Sequence, residues 1–184
     1  MGDRGLRILG LDPGSRVTGY GVVERCGGEV RHVAHGTLRP PRDGSAPGRL
    51  AQLHERVAEI VAQHGPDLAV VEQVHVGRNV RSALVLGQAR GAMLAALGAA
   101  GLSVEEYTPG EIKRAVVGTG SADKAQVQQM VRRLLSLTAL PAQDAADALA
   151  AALCRAHRSP ALAGASRSRP RLRRSGPLVV RRAP

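Results

Sequence analysis

Residues 8–14 read Ile8-Leu9-Gly10-Leu11-Asp12-Pro13-Gly14, an apolar run that ends in a carboxylate and a turn. A short apolar run bounded by turn residues predicts a buried strand, here over residues 7–12. Two further strands are predicted over residues 17–24 and 29–38, with Gly27-Gly28 as the tight turn between them. Turns of this kind join antiparallel neighbours, so the chain is predicted to begin with a three-stranded meander.

Beyond the meander, the sequence alternates between helical and strand-like patterns. After a predicted loop over residues 40–48, apolar residues recur at helical spacing from Leu50 to about His64. The pattern then predicts a fourth strand over residues 68–71, a helix rich in small residues over 79–100 and a fifth strand over 102–107.

Three helices are predicted to complete the domain. Thr108-Pro109-Gly110-Glu111 combines a capping residue, an early proline and a glutamate three residues after the cap, which indicates a helix start. Ser121 is predicted to cap a helix that runs through Leu135, and the last helix is predicted from about Ala142 to His157. This order predicts an α/β, ribonuclease H-like fold over residues 1–158, with a mixed five-stranded sheet flanked by helices.

Four acidic residues occupy positions where a carboxylate needs an explanation. Asp12 and Glu72 end apolar strands. Asp144 and Asp147 are three residues apart in an alanine-rich helix, so they share one face. Burying an unpaired carboxylate is costly, and in the predicted fold all four acids would face one cleft. Taken singly, Asp144 also fits a helix N-cap, and Glu72 fits a surface position at a strand end.

The four acids together predict a metal-dependent catalytic site. Ligand sets made only of oxygen select hard cations, which predicts two Mg²⁺ ions per active site, with Mn²⁺ able to substitute. Two such ions about 3.5 to 4 Å apart can activate water and stabilise the departing oxygen of a phosphodiester. This chemistry needs no histidine, serine or cysteine nucleophile.

A glycine-rich segment contains a candidate phosphate contact. Residues 118–121 are predicted to lead into a helix whose third residue is Lys124. Backbone N–H groups at a helix start bind anions, whereas a cation there opposes the helix dipole at a cost of about 0.3 to 1 kcal/mol. A bound phosphate is therefore predicted to explain Lys124, with a solvated lysine as the alternative. Lys113 supports the same interpretation more weakly.

Positive charge is concentrated at the C-terminal end. The formal net charge is +11, and residues 155–184 contain nine arginines and no acid. Their proline, serine and arginine content predicts a disordered basic tail over residues 159–184, either a solubilising appendage or a polyanion-binding arm. The first residues lack an apolar signal core, and no apolar run is expected to span a membrane, which predicts a soluble, cytoplasmic protein.

Several stretches of the chain match a known family. They include Asp12-Pro13-Gly14-Ser15-Arg16, Glu72-Gln73-Val74 and Asp144-Ala145-Ala146-Asp147, together with residues 82–91 and 116–124. In these stretches the chain resembles the RuvC family of bacterial Holliday junction resolvases. The resemblance covers residues 7 to about 157, and the stretches together are highly specific.

The resemblance implies a Mg²⁺-dependent crossover junction endodeoxyribonuclease that acts in recombination and repair. It implies a homodimer that nicks two opposed strands of a four-way DNA junction symmetrically, with the four acids as catalytic residues and metal ligands. Lys113 and Lys124 would contact DNA near the cut, and Arg78 and Asn79 would also touch DNA. The helix over residues 79–100 would contribute to the dimer interface. The branch-migration proteins RuvA and RuvB are the partners implied.

One position departs from the family, and two rival functions are open. His75 stands where the family commonly has phenylalanine, so it is a candidate replacement for an aromatic wedge that contacts DNA, with a solvated loop histidine as the alternative. Sugar kinase and actin-like ATPases share the sheet topology, but they need a second lobe that 184 residues cannot supply. A protein that only binds junctions would not need four converging acids.

Overall fold

The structure is a computed structural model that describes residues 5–14, 16–40, 45–73 and 79–158. The first three strands are β1 (Leu6–Asp12), β2 (Thr18–Cys26) and β3 (Glu29–Leu38), and they pair antiparallel as predicted. The predicted disordered tail over residues 159–184 lies outside the described residues.

Two parallel strands complete the sheet on the other side of β1. They are β4 (Leu68–Glu72), which pairs with β1, and β5 (Ser103–Tyr107), which pairs with β4. The strand order is β3-β2-β1-β4-β5. The predicted α/β class with a mixed five-stranded sheet is therefore confirmed.

Five helices in the described part of the chain cover both faces of this sheet. Buried side chains of the first two helices pack with Leu9 and Leu11 of β1, whereas those of the last three pack with Ile8. Successive strand residues point to opposite faces, which explains how β1 serves both layers. The helices are α1 (Ala46–His64), α2 (Val80–Ala99), α3 (Pro109–Val117), α4 (Lys124–Leu134) and α5 (Gln143–Arg158).

Glycines bring the backbone of α5 against the central strands. A Cβ atom added at Gly10 of β1 would collide with the carbonyl oxygen of Ala148, and one added at Gly19 of β2 would collide with that of Asp144. At Gly21, an added Cβ would lie 2.6 Å from Cγ of Leu149. Because these three positions lack side chains, the alanine-rich helix lies directly on the sheet.

The starts of two helices differ from the sequence prediction. The predicted loop over residues 40–48 is too long, because α1 already begins at Ala46, capped by Ser45 with a proline in the first two positions. Ser121 does not cap α4. Asp123 does, since its carboxylate accepts the Gln126 N–H at 2.8 Å while the Gln126 side chain accepts the Asp123 N–H. This reciprocal capping box satisfies more backbone donors than Ser121 could.

The sequence expectation that no apolar run reaches membrane-spanning length does not hold for one helix in the described part of the chain. Helix α2 is long and apolar enough to cross a membrane by length and composition, properties that core helices of soluble proteins share. Arg81 and Arg90 lie within α2, and Arg90 forms an ion pair with Glu106 of β5 at 2.6 Å. Val80 and Leu84 of α2 are 80% and 62% exposed.

Candidate active site

Two of the four predicted acids are neighbours at the end of the sheet. Leu11 and Val71 are paired in the parallel β1–β4 ladder, so the next residues, Asp12 and Glu72, end adjacent strands. Both side chains point to the face that α5 covers. Gly10, two residues before Asp12, contacts α5, and Val70, two residues before Glu72, packs in the same core layer as α5.

Helix α5 brings the other two acids to the same place. Asp144 is the second residue of α5, and its carbonyl lies against Gly19, which is paired with Asp12. Asp147 follows less than one helical turn later on the same face. The N-cap interpretation of Asp144 is therefore wrong, since the residue lies inside the helix.

Burial and the neighbouring negative charges raise the pKa values of three of these acids, Asp12, Glu72 and Asp147. Burial, followed by the negative charges of Glu72, Asp147 and Asp144, raises the pKa of Asp12 to about 8. Burial and then Asp147 raise the pKa of Glu72 to about 7. The pKa of Asp147 is also raised, mainly by burial. Desolvation and repulsion between like charges both disfavour the ionised forms, so this cluster holds protons near neutral pH.

Both predicted lysines lie close enough to oppose this effect. Lys124 Nζ is 3.6 Å from Asp147 Oδ2, and its charge lowers the pKa values of Asp12, Glu72 and Asp147. The charge of Lys113 lowers those of Glu72 and Asp147. The structure therefore gathers both lysines of the chain around the four acids.

The structure explains the position of Lys124 without the predicted phosphate. Lys124 is the first residue of α4, not the third, and the Asp123 carboxylate already occupies one N–H at this helix end. Its ion pair with Asp147 accounts for a cation at a helix start without a bound phosphate. The Lys124 side chain is nevertheless 67% exposed, so it is accessible to a ligand over the acids.

In the described part of the chain, the acids do not lie close enough together to form a complete metal site. Within residues 5–14, 16–40, 45–73 and 79–158, no three carboxylate, imidazole or thiol side chains converge closely enough to hold an ion. The donor set nevertheless fits divalent cations, because all four side chains offer oxygen and their repulsion is what a dication would cancel. The residues present thus match a hard metal ion chemically.

The remaining predicted site residues separate into two groups. Asn79 is described, and its side-chain oxygen accepts the Ser82 N–H at 3.1 Å, which caps α2. The Asn79 side chain is exposed, and its amide nitrogen takes no part in this cap. His75 and Arg78 lie outside the described residues, so their predicted DNA contacts stay predictions.

Sequence reasoning missed the residues that position the acids. Gly10, Gly19 and Gly21 carry no reactive group, yet they set the distance between α5 and the two central strands. The signal was present in the sequence, since glycines at alternate strand positions leave one face without side chains. An alanine-rich helix is the element that can occupy such a face.

A ribonuclease H-like sheet with four acids gathered at the ends of its central strands is the arrangement expected of a metal-dependent nuclease of that fold class. The sequence model described as Crossover junction endodeoxyribonuclease RuvC matches residues 8–155. The chain belongs to this family, which confirms the resemblance stated from the sequence.

Individual relatives agree with this assignment. The RuvC of Alkalilimnicola ehrlichii is 59% identical over 170 residues, which cover 92% of this chain and 98% of the relative. The RuvC of Acinetobacter baylyi is 55% identical over 152 residues, or 83% of each chain.

Solved structures support both the family and the fold. RuvC of Thermus thermophilus in complex with a Holliday junction substrate superposes with a TM-score of 0.78 at 34% identity, covering 83% of this chain and 93% of that one. The yeast mitochondrial Holliday junction resolvase Ydc2 has a TM-score of 0.61 at 12% identity, covering 82% and 78%, and so supports the ribonuclease H-like fold alone.

Proposed function

We propose that this chain is an endonuclease that resolves four-way (Holliday) junctions in recombination and repair, nicking two opposed strands symmetrically. The observation that supports this most directly is the meeting of Asp12, Glu72, Asp144 and Asp147 at one end of the sheet. The family carries the same activity in its name, and one relative is described in complex with a junction.

These four acids would hold two Mg²⁺ ions, with Mn²⁺ as a substitute. The elevated pKa values of Asp12 and Glu72 support this, because a bound dication favours their ionised forms. When bound, the metal supplies an activated water and charge stabilisation for the departing oxygen. The protein's own part is to hold the acids on rigid elements and to place Lys113 and Lys124 beside the scissile phosphate.

Replacing Glu72 with Gln tests this proposal, since it removes one charge and keeps the side-chain shape. We expect junction cleavage in Mg²⁺ to fall by several orders of magnitude, while junction binding in EDTA survives. The measurements are single-turnover cleavage and fluorescence anisotropy. Glu59→Gln, at an exposed ion pair on α1, is the matched control and should cut normally.

Two results would contradict the proposal. Near-normal cutting by Glu72→Gln would rule out the acid cluster as the metal site. ATP hydrolysis without any action on DNA would instead favour the rival class of actin-like ATPases, and junction binding without nicking of any substrate would favour a binding protein.

We further propose that the enzyme is a cytoplasmic homodimer that works with RuvA and RuvB. Val80 and Leu84 support dimer formation through α2, because large apolar side chains exposed on one helix mark an interaction surface. A second copy of the active site is what symmetric nicking of two strands requires.

Residues 1–158 are proposed as the nuclease domain, and residues 159–184 as a basic arm that binds polyanions. Truncation after Arg158 should weaken binding to every DNA shape and make the slope of log K against log salt shallower by about 0.9 for each phosphate that the arm neutralises in the intact protein. Junction selectivity should be retained. An unchanged salt slope would show that the tail is a bystander.

A further inference from the structure

A groove of about 520 Å³ lies at the end of the sheet where β1 ends. Three arginines line it from separate parts of the chain. Arg16 belongs to the loop between β1 and β2, Arg39 follows β3, and Arg49 lies near the start of α1. Leu50 of α1 and Val85 of α2 supply part of its apolar wall.

Six other arginines in the described part of the chain each form an ion pair with a carboxylate. Arg56 is 2.8 Å from Glu59, and Arg31 is 2.8 Å from Glu29. By contrast, no described carboxylate forms an ion pair with any of the three groove arginines. Three like charges around one groove repel each other, so an anion in the groove would be favoured.

The position of Arg49 strengthens this inference independently. It lies in the first turn of a 19-residue helix that has no acidic residue in that turn, and its N–H bonds the Ser45 carbonyl at 3.0 Å. A cation at this end opposes the helix dipole, whereas an anion is favoured by it. A bound anion would offset the unfavourable interaction between the positive charge of Arg49 and the helix dipole.

The groove and the active site lie at the same end of the sheet but on opposite faces. Gly14, which lines the groove, is two residues after Asp12. The acids face α5, whereas Leu53 and Ala89 of the groove belong to the core beneath α1 and α2. A DNA segment in the groove is therefore separate from the strand at the acids.

We propose that this groove binds the phosphodiester backbone of a duplex arm of the junction substrate. The guanidinium group of each arginine donates paired hydrogen bonds to phosphate oxygens, and the apolar wall contacts the sugars. Such contacts fix the orientation of an arm without reading its sequence. The inference rests on the proposed function, and it adds a DNA contact on the face away from the acids.

The test compares two double variants of the full chain that remove the same charge. The groove variant combines Arg39→Gln and Arg49→Gln. The control variant combines Arg31→Gln and Arg56→Gln, which replace ion-paired arginines of β3 and α1. Binding to a four-way junction and to a linear duplex is followed by anisotropy in EDTA across salt concentrations. We expect the groove variant to lower the salt slope by about 1.8 on both substrates, at about 0.9 for each phosphate, and the control to keep the wild-type slope.

Two additional variants keep the test decisive. Arg39→Lys with Arg49→Lys retains both charges and should restore the slope, and Arg16→Gln alone should lower it by about 0.9, because the third arginine also contacts a phosphate. Thermal melting establishes that each variant is folded. If the groove variant Arg39→Gln with Arg49→Gln does not fold, the salt slope of Arg16→Gln decides whether the groove binds DNA.

The possible outcomes separate this proposal from the proposed function. If the wild-type chain cuts the junction but the groove variants keep the wild-type slope, the groove proposal is overturned and the function stands. An equal decrease of the slope in the groove and control variants would also overturn it. If the wild-type chain neither binds nor cuts the junction, the function fails and the groove assignment fails with it.

Discussion

Asp12 illustrates how neighbours decide the chemistry of a single carboxylate. Its position at the end of an apolar strand was apparent from the sequence, but its pKa of about 8 depends on burial and on three acids from distant parts of the chain. Lys124 partly offsets their repulsion. A residue that reads as a simple acid is therefore the most perturbed member of a charged cluster.

The raised pKa values predict how stability depends on pH without metal. Asp12 and Glu72 have ordinary pKa values of 3.8 and 4.5 and folded values of about 8 and 7, so the folded state binds protons that the unfolded state releases. Their contribution is fully favourable below about pH 4 and is lost as the pH rises towards about 8. The melting temperature in EDTA should fall across this window.

Two comparisons check this assignment. Asp12→Asn should flatten the decline, because the substituted side chain does not titrate, and Glu59→Gln should leave it unchanged. Mg²⁺ should raise the melting temperature more at about pH 8 than at about pH 5, since protons compete with the ion for the carboxylates. A melting temperature that does not change with pH in EDTA would contradict the perturbed cluster.

At the scale of elements, the contact between α5 and the sheet controls the site. The burial of Ala148, Leu149 and Ala152 shows that this helix is a core element, although it carries two acids near its start. Close approach of its backbone to β1 and β2 is possible only because of the glycines. The same contact therefore serves stability and places Asp144 and Asp147.

Gly10→Ala should be severely destabilising. The new methyl group would meet the Ala148 carbonyl, which belongs to helix backbone and cannot move aside like a flexible side chain. Overpacking of this kind costs about 1 to 3 kcal/mol or more. Urea unfolding should measure the decrease in stability, and cleavage should fall further than stability alone explains, since α5 carries two of the acids.

Gly28→Ala is the matched control, because nothing lies within 4 Å of the added carbon in the turn between β2 and β3. It should change the free energy of unfolding by less than about 0.5 kcal/mol. Equal effects of the two substitutions would show that the glycine contact does not position α5.

At the scale of the whole molecule, the exposed apolar residues of α2 predict association. Leu84→Asp should weaken the proposed homodimer, because a charge would be buried at the interface, and sedimentation should show a shift towards monomer. Leu140 is also a large exposed apolar residue, at 44% against 62% for Leu84, but it lies outside α2. Leu140→Asp should leave the association state unchanged, and equal shifts in both variants would contradict the α2 interface.

The sequence alone determined the order of the elements, the class of fold and the identity of the four acids. These features depend on local patterns: apolar runs end in Asp12 and Glu72, and helical spacing joins Asp144 to Asp147. The misplaced start of α4 has a local cause as well, because Ser121 and Asp123 are both capping residues and only the bond to Gln126 distinguishes them.

Tertiary structure decided the features that depend on distance between separate segments. The strand pairing makes Asp12 and Glu72 neighbours, and three glycines let α5 complete the cluster. Arg16, Arg39 and Arg49 are far apart in the sequence and share a groove only after folding. The physical reason is that local patterns specify which face a residue takes, whereas desolvation and charge coupling arise only when packed elements bring faces together.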